Sequence, residues 1–440
     1  SLEALNYTCG TPDYPRNLTA GDQAQVYTLT QKGVEHFVDC VLKNSLKIAQ
    51  KMDIPELSFK LDLGVTSIDF FLKDIFVADF GVEHTYMNFL GDEFVYCGVD
   101  NANAELTLSW GFQQSSYPYM SDSGTGKIII NGMDLKAQIA CIIDKQDCPG
   151  HYHIMVKAAE LLFQQIKIEL AGGTSWIYQS LVNMILSSIQ KDLQEILSDV
   201  LVGSIEDVVN MVTNSDGYYI PYENMKNIIK DSRIVDSWQI GQGYMSQQQS
   251  GYVYNFQNLT DEFMQPHMLH KITNNKFNQG YTHAVAAPAF DNIFYIMHKY
   301  YDFYSSKYKM LKPPTLEIYS GNTLTTCEAE YQGQKFQVQL LGKTLWEQVT
   351  VVINNTGLTK NITNVYFEYS LYQTDYSGEE KNIIMQDLLQ KMNTAIKEMP
   401  FIFPATNFLD MTQFQAVNDA NEQVIRLVGD NKDDECPEWK

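Results

Sequence analysis

Apolar positions recur along this chain with two periods, and the period changes at recognisable places. Over 27–52, Val34, Phe37, Val38, Val41, Leu42, Ile48, Ala49 and Met52 fall at i, i+3, i+4, i+7 spacing, which predicts an amphipathic helix that Pro55 stops. From 57 to 168 the period shortens to two. The stretches LSFKLDLGV, IDFFLKDIFVADF, AELTLSW, GKIIINGMDLKAQIACII and YHIMVKAAELLF alternate or nearly alternate, with Gly, Asn and Asp turns between them. Leu106, Leu108 and Trp110 share one face against Glu105, Thr107 and Ser109, the signature of an antiparallel sheet with one side buried. The helical period returns over 174–212 with Ile177, Leu181, Met184, Ile185, Ile189, Leu193, Ile196, Leu197 and Val200. It ends at Asn214-Ser-Asp-Gly217.

Residues 215–260 read differently. Gly217, Pro221, Gly241, Gly243, Gly251 and a QQQ run mark a linker that carries crossover strands, RIVDSWQIG and GYVYNFQ among them. The order then repeats: a helix near 284–306, strands near 315–372, a helix near 382–399 and final strands near 407–428. The halves share no visible residue identity, so the repeat is one of architecture. A single core stops growing near about 250–300 residues, and a chain of 440 residues is expected to form two domains. The reading is an N-terminal extension at 1–22, a first domain at 23–214, linker and central strands at 215–260, a second domain at 261–428 and an acidic tail at 429–440.

Composition adds a compartment and removes partners. Hydrophobic residues make up 45% and charged residues 19%, a globular balance. With 53 acidic and 31 basic residues, the net charge of −22 repels nucleic acid and anionic headgroups. No run of 18 apolar residues is present. A start at Ser1 without an apolar leader fits a mature chain whose signal peptide has been removed. Sequons at Asn6, Asn17, Asn258, Asn354 and Asn361 fall in turn-like or terminal segments, as glycosylation requires. The seven cysteines allow up to three disulfides and one free thiol, and none forms a CxxC pair. These features point to a secreted or secretory-lumenal setting.

Catalytic patterns are weak. His151 and His153 lie on one face of a strand-like segment, but no third metal ligand stands nearby in sequence. Ser188 with Lys191 and Ser306 with Lys309 both match SxxK, without the companion motifs of a Ser–Lys enzyme. GxSxG, a P-loop and a GxGxxG after a strand are all missing, and Gly124-Thr-Gly126 reads as a hairpin turn. The reading is a non-enzyme with no metal and no cofactor. What has content is the helices, about seven and about ten turns long in the first half and apolar throughout. Helices of that length over a sheet can leave an elongated apolar cleft, and acyl chains are stabilised there by about 0.8 kcal/mol per CH₂.

The segment LTQKGVEHFVDCVLKNSLKIAQKMDIPELSF at 29–59 resembles the opening of the bactericidal/permeability-increasing protein and lipopolysaccharide-binding protein family: a short strand, KG, a long helix and IP. NANAELTLSW at 101–110 and INGMDLKAQI at 130–139 are similar to it as well. In the second half, HAVAAPAFDNIFYIMHKYY at 283–301 looks like that family's second opening helix, and MNTAIKEMPFIFPATNFLD at 392–410 like its closing segment. The resemblance covers roughly 23–430. It implies an α+β fold: a boomerang of two tubular lipid-binding domains, each a twisted antiparallel sheet wrapped on a long helix, joined by a central sheet.

It also implies an apolar pocket in each half that holds lipid tails, with phospholipid as the ligand. The implied lining is Val34, Val38, Val41, Leu42, Ile177, Leu181, Ile185 and Ile189, then Phe294, Met297, Leu388 and Met392. The family links a strand cysteine to its second helix. Here Cys141 holds the strand position, but 172–213 contains no cysteine, which leaves Cys148 as its nearest candidate. Cys9 with Cys40, and Cys327 with Cys436, would staple the termini. Members that bind lipopolysaccharide use a cationic tip, whereas 71–98 sets Lys73 against Asp74, Asp79, Glu83, Asp92 and Glu93. The expected partners are therefore zwitterionic or neutral phospholipids and, transiently, a membrane surface. A structural subunit with fixed lipid in a homo- or hetero-assembly is the alternative. Innate defence through microbial lipids is disfavoured by the charge.

Overall fold

The strand-rich stretch read at 57–168 folds as one antiparallel sheet. The computed structural model describes residues 23–35, 38, 54–62, 66–117, 119–144, 151–172, 182, 186, 189–203, 205–206, 219–222, 225, 227–255, 279–300, 307–319, 321–353, 358–404 and 415–429. Described residues within Val34–Cys141 and Ile154–Val212 form one compact unit, and those within Ser1–Gly33, Ile142–His153 and Thr213–Glu435 form another. We call them the N-terminal and C-terminal units. No helix among the described residues is long and apolar enough to cross a membrane.

In the N-terminal unit the sheet runs Leu57–Asp62, Ser67–Gly81, Val95–Gln114, Ser121–Asp144, His151–Ala171, and His84–Phe89 also pairs with Val95–Gln114. Strands of 15 to 24 residues cannot stay flat, because each residue adds right-handed twist. Register shifts between Lys73 and Phe76, Val77 and Asp79, and Val99 and Ala104 add local bends. At one bend Gly132 has φ +62, a conformation that favours glycine, and a Cβ there would also displace the Gln164 side chain, 2.5 Å away. Phe70, Leu72, Leu106, Leu108, Trp110, Ile128 and Ile130 are buried, as the alternation predicts. The Trp110 indole stacks beside Phe70 and donates to the Ala171 carbonyl at 3.1 Å. Of the helix read at 174–212, the described residues bury Ile189, Leu193, Leu197, Leu201 and Ile205, one per turn. The Gln194 amide donates to the Leu161 carbonyl, and the Glu206 carboxylate accepts from the Val156 N–H at 2.6 Å, which ties this helix to the strand His151–Ala171.

The C-terminal unit holds three sheets. One runs Gln239–Gly241, Tyr244–Gln249, Gln25–Thr30, Tyr281–Ala286, Val424–Gly429, Gln415–Asp419. A second is Val253–Asn255, Ile228–Asp231, Tyr219–Pro221. The third runs Lys309–Met310, Asn322–Tyr331, Gln334–Ile353, Leu358–Thr374, Phe401–Pro404, with Thr315–Tyr319 also on Asn322–Tyr331. An opening helix, Ala287–Tyr300, and a closing helix, Lys381–Glu398, accompany them.

Two boundaries differ from the periodicity reading. The helix expected from 27 begins at Gln31, because Gln25–Thr30 is a strand paired on both edges. Its β-branched residues Val26, Thr28 and Thr30 suit that role. The Thr30 hydroxyl accepts from the Gly33 N–H at 3.4 Å, the position of an N-cap. Gly33 itself is required by contact, since a Cβ there would lie 2.0 Å from the Gly280 carbonyl oxygen. The helix expected from 284 begins at Ala287, because Tyr281–Ala286 is a wholly buried strand. Pro288 then occupies the first turn, where its missing N–H does no harm.

Candidate functional site: two buried layers of the C-terminal unit

The opening helix buries Phe290, Ile293, Phe294 and Met297 on one face, and Lys299 stands in its last turn, where a cation suits the helix dipole. The closing helix buries Ile384, Leu388, Met392, Ala395 and Ile396. It ends before Pro400, and the Met399 N–H closes on the Ala395 carbonyl. These faces belong to one apolar core, which also contains Met310, Cys327, Val338, Leu340, Val365, Phe367, Phe401 and Phe403. The structure thus brings together four residues named from sequence: Phe294, Met297, Leu388 and Met392. In the N-terminal unit Val34, Val38 and Ile189 are buried. Val41, Leu42, Ile177, Leu181 and Ile185 lie outside the described residues.

Beside this layer lies a second, ionic one, built largely from the linker and crossover strands of 215–260. Arg233 and Asp231 are almost fully buried and pair through two bonds, Nε to Oδ1 at 3.0 Å and Nη2 to Oδ2 at 2.8 Å. The Tyr254 hydroxyl donates to the same carboxylate at 2.6 Å. Burial, and next the Asp231 charge, push the Tyr254 phenol well above its ordinary range. The Lys230 ammonium donates to Gln25 Oε1 at 2.9 Å and to the Ile402 carbonyl, and sits 4.2 Å from the Phe401 ring centre. Buried Arg426 pairs with Asp419 at 2.7 Å and with Glu422. His283 is fully buried between the rings of Tyr27 and Phe403, and neither ring nitrogen has a partner among the described residues. Burial, and then the Lys230 charge, hold its pKa well below the usual histidine value. Phe290 of the opening helix lies 5.4 Å from Phe401, so the two layers share an aromatic wall.

Asp291 and Asn292 are polar groups on the opening helix itself. The Asp291 carboxylate accepts from the Leu316 N–H at 2.7 Å, and burial raises its pKa to about 6. The Asn292 carbonyl oxygen accepts from Val253 N–H at 2.7 Å. Both side chains anchor strands to the helix.

The cysteine reading needs one correction. Cys327 is a free, fully buried thiol in the apolar core, so the expected Cys327–Cys436 staple is not formed. It stands opposite Val338, packed on its core side by apolar groups, and burial pushes its pKa up to about 12. Cys97 is likewise free, buried and raised to about 12, so neither thiol is a ready nucleophile. Cys141 lies in the strand Ser121–Asp144 with its side chain outside the described residues, as are Cys9, Cys40, Cys148 and Cys436. Asn6, Asn17, Asn258 and Asn354 also fall outside them. Asn361 lies in the strand Leu358–Thr374, its side chain not described, and Thr363 of that sequon is buried. His151 and His153 are in the strand His151–Ala171, and their side chains too fall outside the described residues.

Residues 41–211 match the model of the LBP / BPI / CETP family, N-terminal domain. The human BPI fold-containing family C protein is 20% identical over 247 residues, 54% of this chain and 46% of that protein. An Arabidopsis thaliana protein named for the BPI/LBP family is 21% identical over 198 residues, 44% of this chain and 40% of that one. The chain therefore spans less than half the length of these curated relatives. A crystal structure of lipopolysaccharide binding protein superposes with a TM-score of 0.59 at 12% identity, covering 93% of this chain and 99% of that one, a likeness of fold alone. The α+β fold, with long helices packed on antiparallel sheets in each unit, is of this type. The resemblance read from the sequence is thus met again in the family model over residues 41–211 and in both relatives, and the fold agrees with it.

Proposed function

We propose that this protein binds phospholipid, holding acyl chains against the apolar faces of its long helices in each unit, and that it carries lipid rather than transforming it. The match of residues 41–211 to the family model supports lipid binding in general. The observation that supports the site is the composition of the helix-lined core. Six methionines, Met225, Met297, Met310, Met385, Met392 and Met399, lie in one cluster with branched and aromatic residues. Methionine is unbranched and polarizable, so a core rich in it can repack around tails of different length and unsaturation. Tails are recognised by volume and dryness, which fits a lining that offers no charged group from Phe294, Met297, Leu388 or Met392. The chain charge of −22 favours zwitterionic or neutral headgroups over anionic ones. A secreted or secretory-lumenal setting, without cofactor or nucleic-acid partner, completes the reading.

Native mass spectrometry of the purified full chain tests it. The expected result is a mass excess of one or two diacyl lipids, identified as phosphatidylcholine or a similar zwitterion after organic extraction. A chain that carries no lipid, and takes up none from phosphatidylcholine vesicles, overturns the proposal.

A further inference from the structure

Three of the six exposed large apolar residues described in the N-terminal unit sit together at one hairpin, while Phe76, Leu90 and Leu162 stand singly. The turn between the strands Val95–Gln114 and Ser121–Asp144 carries Tyr117, Tyr119 and Met120, which are 85%, 70% and 53% exposed. The two tyrosine rings meet edge to face at 6.4 Å. The turn is braced rather than loose. Gln114 N–H donates to the Met120 carbonyl at 2.8 Å, Tyr119 N–H to the Ser116 carbonyl at 2.9 Å, and Ser115 N–H to the Ser67 carbonyl at 3.0 Å. The Ser116 hydroxyl reaches Thr66 Oγ1 at 2.6 Å. Within it Tyr119 adopts φ +54, a left-handed conformation that a bulky side chain rarely takes. A strained residue held in place by surrounding bonds, presenting apolar groups to water, marks a surface built to meet something.

Charge identifies what. Residues 106–121 contain no charged side chain, in a protein of net charge −22. The flanking charged residues in sequence, Glu105 and Asp122, are acidic, as are Asp62 opposite Ser67 and Asp69 opposite Gln113 in the adjoining strands, so an anionic surface is repelled. Size excludes a protein partner of ordinary area. Two tyrosines bury about 150–250 Å² each, and with one methionine they fall short of the about 800 Å² per side that a stable protein interface uses. Tyrosine rings do suit the headgroup level of a bilayer, with the ring in the acyl boundary and the hydroxyl in water. We infer that this hairpin docks the protein on a zwitterionic phospholipid surface, through Tyr117, Tyr119 and Met120.

The inference rests on the lipid-binding reading and names the surface from which lipid would be drawn. Co-flotation of the full chain with phosphatidylcholine vesicles tests it, using wild type and the double variant Tyr117→Ser, Tyr119→Asn. Asparagine is chosen because it accepts positive φ. The variant is expected to partition at least about tenfold more weakly, since each ring contributes by apolar burial. It should keep its thermal unfolding temperature and the lipid it carries in native mass spectrometry. Should the double variant fail to fold, Tyr117→Ser alone, at the most exposed of the three positions, carries the test. Adding phosphatidylserine to the vesicles should weaken wild-type binding. Equal flotation of variant and wild type, or binding that rises with phosphatidylserine, overturns the inference, as does a variant that loses only self-association by light scattering. A wild type that floats but carries no lipid defeats the carrier reading alone. One that carries lipid but does not float defeats the docking inference alone.

Discussion

The C-terminal unit builds its interior in two chemically opposite ways on either side of one aromatic wall. Around the opening and closing helices, Phe294, Met297, Leu388 and Met392 pack without a polar partner to satisfy. Around the strand Ile228–Asp231, the groups Lys230, Asp231, Arg233 and Tyr254 are buried to the same degree but held by directed bonds. Apolar packing degrades gradually, because neighbours relax into lost volume. A buried ion pair fails abruptly, because removing one partner strands a charge in low dielectric. On the proposed function the apolar layer is the one that would give way to a lipid tail, while the ionic layer holds its strands by directed bonds.

The sharpest way to break that contrast is Asp231→Ala, which leaves Arg233 buried without its carboxylate and is expected to destabilise the C-terminal unit by about 3–5 kcal/mol. The companion double substitution, Asp231→Leu with Arg233→Met, removes both charges and should recover most of that loss in urea unfolding. If the single and double variants unfold alike, the pair is not a unit and the contrast collapses.

Phe294→Ala probes the other side. Loss of a buried ring is expected to be worth about 3–5 kcal/mol in an empty core. Bound lipid that fills the vacated volume would reduce the loss, so comparing lipid-loaded with extracted protein separates cavity from ligand site. An identical loss in both would argue that no tail touches Phe294.

The smallest effect is pH-dependent and falls on the shared wall. The folded pKa of His283 lies below its ordinary value of 6.5 because of burial and Lys230. The unfolded chain therefore binds this proton more readily than the folded one. Stability is full above pH 6.5 and is lost as pH falls below it, by up to about 1.4 kcal/mol per pH unit. Asp291, raised to about 6, works the other way: its burial destabilises the fold above pH 6, and that penalty is relieved as pH falls toward 3.8. The net acid slope is accordingly shallow, and His283→Phe should flatten the part just below 6.5. Urea unfolding at pH 7.5, 6.5 and 5.5 measures it, and an unchanged slope in the variant would show that His283 is not its source.

The helix faces were legible because their information is local. A helix that must bury one side repeats its apolar residues every three or four positions, as Phe290, Ile293, Phe294 and Met297 do, while the choice of Phe294, Met297, Leu388 and Met392 as lining came with the family resemblance. The alternating run at 105–110 was legible for the same reason, with Leu106, Leu108 and Trp110 turned inward. The ends of these elements were not. Thr28 and Thr30 sit as well in a strand as before a helix, and the choice fell to pairing with Tyr244–Gln249 and Tyr281–Ala286, more than 200 residues away. The ionic layer was invisible for a related reason. Lys230, Asp231 and Arg233 lie at the start of a crossover strand in a glycine-spaced stretch, and nothing nearby in sequence announces Gln25, Tyr254 or the Ile402 carbonyl. Cys327 shows the same limit: a cysteine at 436 invites a staple to it, and only the core around Cys327 makes it a free thiol. The sequence by itself determined the element types and the family resemblance, since period and motif order are properties of neighbours along the chain. Which polar groups are buried, what neutralises them, and which turn presents Tyr117 and Tyr119 to water were decided by tertiary structure, because burial and charge compensation are set by partners that chain distance does not encode.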